Sequence, residues 1–471
     1  MRLGALTGGP HAQAVTGFAI DHRKVAPGTV FGAFPGARVN GEDFIAQAVG
    51  SGAVAVVASP RARVDGAVHI ADEAPRARFA ALAARFFAPF PATAVAVTGT
   101  NGKTSTVEMT RQLWRMAGHH AASVGTLGVT TADERVTTGL TTPDVVTFLS
   151  NVAGLAREGV THLAFEASSH GLDQYRTEGL PVAAAAFTNL SRDHLDYHGS
   201  MEAYLAAKLR LFAEVVSPRG AAVVWADDAV SGRVIEAARA RDARVLTVGT
   251  RGEALRLVSR TPTLLGQTLA VEAAGAEHKV VLPLIGAYQA ANALVAAGLV
   301  VATGGDAKAT VQALSRLQPV RGRLERAVIT RTGAPVYVDY AHTPDALEAA
   351  IAALKPHARG RLILVFGAGG DRDQGKRAAM GAVAAREADR VIVTDDNPRS
   401  EDPAAIRRMV LEGAAGALEI GDRREAIDAA IGEAGPADIV LVAGKGHEQG
   451  QVVGDLVLPF DDVGVARECA A

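Results

Sequence analysis

The stretch Val95 to Val107, VAVTGTNGKTSTV, decides how the chain is read. An apolar run of strand length, Ala94 to Val97, passes through a glycine-bearing turn into Lys103-Thr104, which opens an amphipathic segment. That order is strand, phosphate loop, helix. Gly99 and Gly102 let backbone N–H groups approach an anion, Lys103 adds a point charge, and Thr104 offers a hydroxyl to a phosphate-bound magnesium ion. Val97 stands where the full GxxxxGK[ST] form has its first glycine, so the loop must turn through Gly99 instead. A glycine-rich strand-to-helix turn also occurs without a ligand in α/β proteins; the Gly-Lys-Thr favours ATP or GTP.

Outward from this loop, 471 residues imply about three domains at ~150 residues each. Hydrophobic residues make up 48% and charged residues 21%, which excludes a disordered or fibrous chain. A net charge of −2 leaves no broad basic face for nucleic acid, so an anionic ligand must be held by local clusters. The single cysteine, Cys469, allows no intramolecular disulfide and fits a reducing compartment. Gly4, Gly8, Gly9 and Pro10 break any signal-type apolar segment, and no ~18-residue apolar run follows. A cytoplasmic, unanchored protein is expected.

Residues 1–88 read as a small α/β unit, with strands near Thr29 to Phe34 and Ala53 to Ala58 and helices at Asp43 to Val49 and Ala74 to Phe87. Its polar, basic loops 21–24 and 36–41 could grip a nucleotide or simply be solvated turns, and charge alone favours the second reading. Pro89 and Pro91 mark a boundary. In residues 89–324, apolar runs at 163–165, 182–187, 221–225 and 244–248 alternate with helical segments, which implies a parallel sheet. Residues 261–282 suggest a hairpin pair, and Ala287 to Thr303 a long helix. Ligands of such sheets bind beyond the strands' carboxyl ends, so Glu166 to His170 and Thr188 to His194 fall on the phosphate-loop rim. Residues 325–471 repeat the pattern as a Rossmann-like doubly wound unit. Its strands at 336–339, 362–366, 391–394 and 439–442 run into polar loops at 340–345, 367–377, 395–399 and 444–448.

Glu166 and His194 are a carboxylate and an imidazole able to serve a divalent cation, or else an ordinary buried glutamate and loop histidine. Arg372, Arg377 and Arg399 are fork-shaped donors suited to carboxylates, and Glu448 suits an ammonium. Together the loops describe ATP-driven joining of a carboxylate to an amine.

The strings TGTNGKT (98–104), EASSHGL (166–172), FTNLSRDHLDYHG (187–199), DYAHTPDA (339–346), FGAGGDRDQGK (366–376), DDNPR (395–399) and GKGHE (444–448) resemble the MurE branch of the Mur ligase family. The resemblance implies three domains: a UDP-substrate-binding domain, 1–88, a central ATP-binding domain, 89–324, and a C-terminal amino-acid-binding domain, 325–471. It implies an ATP-dependent ligase of peptidoglycan synthesis that adds meso-diaminopimelate to UDP-N-acetylmuramoyl-L-alanyl-D-glutamate through an acyl phosphate. It makes Lys103, Lys208, His194 and Glu166 catalytic. Gly99, Thr100, Asn101, Gly102, Lys103, Thr104, Ser105, Asn292 and Arg323 would bind ATP. Ile20, His22, Thr141, Thr142, Ser168, Gln174 and Arg176 would bind the UDP substrate, and Arg372, Asp396, Asn397, Pro398, Arg399, Gly444 and Glu448 diaminopimelate.

The same resemblance implies that Thr104, Glu166, His194 and Lys208, the last as a carbamate, serve Mg2+. It implies a monomer whose domains close for catalysis, with no nucleic acid or membrane partner. Arg399 argues for diaminopimelate over lysine. His22, Leu140, Trp225 and Gln289 depart from the family pattern, the first two near the uridine and the last two near the adenosine. Two other readings are a folylpolyglutamate synthetase or other Mur ligase, against which the DNPR and GGDRD strings count, and a non-catalytic nucleotide-binding regulator.

Overall fold

The computed structural model describes residues 1–471 except 37–38, 132–133, 137–140 and 264. The chain divides into two compact units, Met1–Arg256 with Leu294–Thr310, and Leu257–Ala293 with Val311–Ala471.

The first unit begins with four parallel strands, β1 (Gly17–Ala19), β2 (Thr29–Gly32), β3 (Ala53–Ala58) and β4 (Val68–Ala71), in that order across the sheet. Helix Pro75–Phe87 follows, with proline in its first turn, where a missing N–H costs no helical bond. The second sheet carries β5 (Thr93–Thr98), β6 (Ala121–Gly125), β7 (Gly128–Thr130), β8 (Arg135–Val136), β9 (His162–Glu166), β10 (Val182–Phe187), β11 (Val216–Trp225) and β12 (Arg244–Gly249). Within this unit their order is β12-β11-β10-β5-β9-β6-β7-β8. The first six are parallel and β7 and β8 form an antiparallel edge.

A single apolar core runs from Leu3, Phe18 and Phe79 through Phe148 and Phe165 to Phe187 and Val224. The prolines after Phe87 therefore mark a change of sheet and not a gap in packing. Buried strands such as Ala53–Ala58 and Val182–Phe187 are near-continuous apolar runs, as parallel strands covered on both faces require.

The second unit contains β13 (Leu255–Thr263), which begins in the first unit, β14 (Gly266–Ala273) and β15 (Ala276–Leu282). The expected hairpin pair is thus a run of three strands, of which β14 and β15 are antiparallel partners. Its main sheet is β16 (Glu325–Ile329), β17 (Pro335–Asp339), β18 (Leu362–Phe366), β19 (Arg390–Val393), β20 (Leu418–Glu419) and β21 (Ile439–Ala443), ordered β16-β17-β21-β18-β19-β20. Only β16 is antiparallel to its neighbour. Along β18, Leu362, Leu364 and Phe366 enter one core while Ile363 and Val365 enter the core on the other face. A hairpin of β22 (Gly450–Val453) and β23 (Leu456–Pro459), not anticipated from the sequence, follows the GKGHE loop. No helix among the described residues is long and apolar enough to cross a membrane.

Candidate active site

β5 lies between β9 and β10, so the loops leaving these three strands share one rim, as the sequence pattern requires. Gly99 has φ +147° and Gly102 φ +84°, and a Cβ at Gly99 would collide with the Thr188 hydroxyl. Only glycine allows that approach. The segment after β10 clamps the loop: Thr100 N donates to Asn189 O at 2.9 Å, Asn101 N to Asn189 Oδ1 at 2.9 Å, and Thr188 Oγ1 to Asn101 O at 2.6 Å. Thr100 Oγ1 accepts from Ser191 N at 2.9 Å and is 3.2 Å from the Tyr204 hydroxyl that donates to it. Ser105 and Thr104 are buried in the first turn of helix Lys103–Met116.

Two lysines converge on one carbonyl. Lys103 Nζ donates to Gly99 O at 3.0 Å and Thr100 O at 2.8 Å, and Lys208 Nζ donates to Gly99 O at 2.8 Å. Lys208 is 1% exposed, and its nitrogen lies 4.3 Å from the centroid of Tyr204, one helical turn earlier on Met201–Arg210. Burial, and then the neighbouring Lys103 charge, hold the Lys208 ammonium well below the usual lysine range. Tyr204 was not singled out in the sequence; its spacing of four from Lys208 is the signal that could have found it.

Glu166 ends β9 and accepts from Thr126 N at 2.7 Å and from the Thr126 hydroxyl at 3.2 Å. Glycine at 125 leaves room for its carboxylate, which a Cβ there would strike. His194 sits at φ +52° with Nε2 3.6 Å from Asp193, edge-on to His170 at 4.9 Å. Among the described residues, no group of three or more His, Cys, Asp or Glu side chains is placed to hold a metal ion. Thr104 and Glu166 are nonetheless hard oxygen donors of the kind magnesium takes.

Five of the seven residues expected at the UDP substrate, Thr141, Thr142, Ser168, Gln174 and Arg176, form one network beside Glu166. Thr142 Oγ1 donates to Glu166 O at 2.9 Å and accepts from Ser168 N at 3.1 Å. Arg176 donates to Thr142 O at 2.9 Å and to Gln174 Oε1 at 2.8 Å, and Gln174 donates to the Tyr197 hydroxyl at 3.0 Å. Thr141 and Thr126 share a hydroxyl contact at 3.0 Å. Ile20 and His22 lie just beyond β1, where His22 stacks on Phe44 at 4.4 Å and 3°. Leu140, and residues 37–38 of the loop 36–41, lie outside the described residues.

In the second unit, β17, β21, β18 and β19 are consecutive and parallel, so all four polar loops leave one edge. Asn397 is the tie. Its Nδ2 donates to Glu448 Oε2 at 2.8 Å, while its Oδ1 accepts from Lys445 Nζ at 3.1 Å and Val452 N at 2.9 Å. Lys445, fully buried, was missed, although it is the lysine of GKGHE. Asp396 is buried, its Oδ2 has no hydrogen bond among the described residues, and burial pushes its carboxyl pKa up. Gly444, at φ +113°, accommodates that oxygen, since a Cβ there would lie 2.5 Å from it.

Arg399 is held at φ +52° by the unanticipated hairpin: its N donates to Val452 O at 3.0 Å and its O accepts from Gly454 N at 2.7 Å. Its guanidinium donates to Gly370 O at 2.7 Å, beyond Pro398. Arg372 is exposed and donates to Asp371 O at 3.3 Å. Neither arginine has an ion-pair partner among the described residues. Arg377 differs: it is fully buried and forks onto Glu401 at 2.8 Å through both nitrogens, so it braces the loop and is not a pocket donor. Asn292 donates to Gln289 at 3.2 Å, Gln289 donates to Arg323 O at 2.9 Å, and the Arg323 guanidinium lies 4.8 Å over Tyr340. Gln289 thus ties helix Ala287–Ala302 to the backbone at Arg323. Trp225 ends β11, half-buried.

This architecture has known counterparts. The Mur ligase family catalytic domain matches residues 14–110, the Mur ligase middle domain 97–300, and the Mur ligase glutamate ligase domain 322–446. A protein of Zymomonas mobilis named UDP-N-acetylmuramoyl-L-alanyl-D-glutamate–2,6-diaminopimelate ligase is 61% identical over 458 residues, covering 96% of this chain and 94% of its own. The chain belongs to the Mur ligase family. A Bradyrhizobium diazoefficiens protein of the same name is 53% identical over 455 residues, covering 96% of this chain and 94% of its own. A solved structure of a ligase of that name superposes with TM-score 0.76 at 33% identity, covering 100% of this chain and 98% of the other. The three-domain α/β layout of the Mur ligases is therefore that of this chain, with the first two domains sharing a core.

Proposed function

We propose that this chain is an ATP-dependent amide ligase that adds meso-diaminopimelate to UDP-N-acetylmuramoyl-L-alanyl-D-glutamate, acting as a cytoplasmic monomer. Its domains would be 1–88, 89–324 and 325–471. The observation that carries the proposal is the convergence of Lys103 and the buried Lys208 on Gly99 O within a clamped phosphate loop.

The D-glutamyl side-chain carboxylate attacks the γ-phosphorus of ATP, ADP departs, and an acyl phosphate forms. The diaminopimelate amine then adds to the acyl carbon, loses a proton, and expels inorganic phosphate. Gly99 to Ser105 cradle the phosphates and Lys103 balances charge as the phosphoryl group moves. Asn292 and Arg323 serve the adenosine. A magnesium ion held with Thr104, Glu166 and His194 would neutralise phosphate charge. Burial and the Lys103 charge lower the Lys208 pKa, which favours the amine form that adds to carbon dioxide; the carbamate so formed, with release of a proton, would be an anionic oxygen donor able to serve that ion. Ile20, His22, Thr141, Thr142, Ser168, Gln174 and Arg176 hold the UDP substrate. Arg372 and Arg399 take carboxylates, Glu448 an ammonium, and Asp396, Asn397, Pro398 and Gly444 shape the pocket around them.

Phosphate release with the UDP-muramoyl-dipeptide tests this, comparing meso-diaminopimelate, L-lysine and D-alanyl-D-alanine. Turnover with diaminopimelate alone is expected. Turnover with lysine but not diaminopimelate overturns the specificity, and no turnover with any of the three overturns the ligase.

A further inference from the structure

We infer that Arg76, on the helix Pro75–Phe87, is a substrate-binding residue that joins Arg176 in seating an oxyanion of the UDP-muramoyl substrate. This rests on the ligase reading above and adds to its substrate site a residue from the N-terminal domain. Arg76, Ala80 and Ala84 are spaced four apart and form one stripe of the helix. The stripe faces the segment that follows Arg176: a Cβ at Gly179, φ +86°, would lie 2.5 Å from Ala84 Cβ and 3.1 Å from Ala80 O. Arg76 lies one turn before Ala80 on that stripe, near enough to Arg176 for the two charges to act on each other.

Both guanidiniums are half-buried and anchored by neutral groups. Arg76 lies 5.0 Å from the Phe34 ring centroid and donates one Nη2 bond, 2.7 Å, to Pro35 O. Arg176 rests on Thr142 O and Gln174. Neither has an ion-pair partner among the described residues. The carboxylates in reach are engaged elsewhere: Asp173 accepts from the Tyr197 hydroxyl at 2.6 Å, and Asp144 caps helix Val145–Arg157 through Val146 N, Thr147 N and the Thr147 hydroxyl. Burial holds the pKa of each arginine below its usual value, and for Arg76 the Arg176 charge adds to that. Two like charges kept near each other and partly dehydrated, with Asp173 and Asp144 acting on them without forming an ion pair among the described residues, are costly in the empty protein and favourable once an anion arrives. Among the described residues the Arg76 Nε and Nη1 have no hydrogen-bond acceptor, and they suit a phosphate or carboxylate oxygen, the match that a planar fork makes best.

The substrate offers that chemistry twice, in its diphosphate and in its dipeptide carboxylates. Steady-state kinetics and calorimetric binding on the full-length Arg76→Gln and Arg76→Lys variants separate the cases, with melting temperature read alongside. The KM and Kd for the UDP-muramoyl-dipeptide should rise about tenfold or more in Arg76→Gln, the loss of one charge-assisted contact. The KM values for ATP and diaminopimelate should hold, and Arg76→Lys should recover part of the loss. Weakened binding of UDP alone places the oxyanion on the diphosphate; unchanged UDP binding with weakened full substrate places it on the dipeptide. Wild-type KM and Kd in a folded Arg76→Gln, or in Arg76→Lys and Arg76→Met should Arg76→Gln not fold, overturn the assignment while leaving the ligase standing. A wild-type protein that neither turns over nor binds the UDP substrate overturns both.

Discussion

The two rims of the molecule handle charge in opposite ways. On the first unit's rim, Lys208, Arg76 and Arg176 are anchored on carbonyls, an aromatic face or a side-chain amide, with no ion pair among the described residues. On the second unit's rim most cations are already matched: Arg377 with Glu401, Arg407 with Asp395, Arg423 with Asp462, and Lys445 with Glu448. Of Arg372, Arg377 and Arg399, the first and last donate to carbonyls and have no ion pair among the described residues. A polyanionic ligand needs a surplus of cations that its own charge neutralises, whereas a zwitterion needs a balanced frame with a few open donors. Each rim carries the charge pattern of the substrate proposed for it.

The sharpest way to break this contrast is at Lys208. Lys208→Arg keeps a cation at Gly99 but cannot form a carbamate, so phosphate release should fall by about 10³ or more, the scale of losing a preorganised electrostatic group. Unchanged turnover in a variant with native circular dichroism would show that the amine's chemistry is not used. On the balanced rim, the comparable cut is structural. Arg423 and Asp462 are both buried and bond at 2.7 and 2.8 Å. Arg423→Met strands a buried carboxylate, and urea unfolding of the second unit should lose about 3 to 5 kcal/mol. A loss below about 1 kcal/mol would show that the frame does not depend on its pairs.

Arg399→Ala removes one of the open donors. The KM for diaminopimelate should rise by an amount equivalent to about 1.5 to 3 kcal/mol, with ATP affinity unchanged. A fall in ATP affinity instead would place Arg399 on the wrong ligand. The smallest effect is a pH dependence in the first unit. Burial, and then His119, lower the His162 imidazole to about 4. The unfolded imidazole takes up its proton near the ordinary value and the folded one only near 4, so the unfolded chain binds more protons in between. Stability present above that ordinary value is therefore lost as pH falls toward 4. Because the ring is partly solvated, the change is roughly 1 kcal/mol. His162→Gln should flatten the slope of the urea midpoint across that window, and an unchanged slope would remove His162 as its source.

Much of the site could be read before any coordinates. Strand-length apolar runs ending in glycine, aspartate or arginine clusters placed Gly99, Glu166 and His194 on one rim and four loops on another, because strand period and turn chemistry are local properties. The β22–β23 hairpin escaped, since a two-stranded element with its apolar residues exposed has no burial pattern to betray it. Arg377 looked like a ligand donor because type and loop position were all that the sequence offered; Glu401, 24 residues on, takes its fork. The prolines after Phe87 were legible as a break in the chain, which the structure shows as a change of sheet, but the core that crosses it was not.

By itself, then, the sequence determined the α/β class, the phosphate loop that turns through Gly99, and the loops that carry chemistry. Those follow from contacts among near neighbours in the chain. The tertiary structure decided which charges meet. Lys208 reaches Gly99 across 109 residues, Lys445 reaches Asn397 across 48, and the helix that carries Arg76 packs through Ala80 and Ala84 on Gly179, in the segment after Arg176. Such pairings depend on how sheets and helices stack, and burial then shifts a lysine such as Lys208 below the usual lysine range.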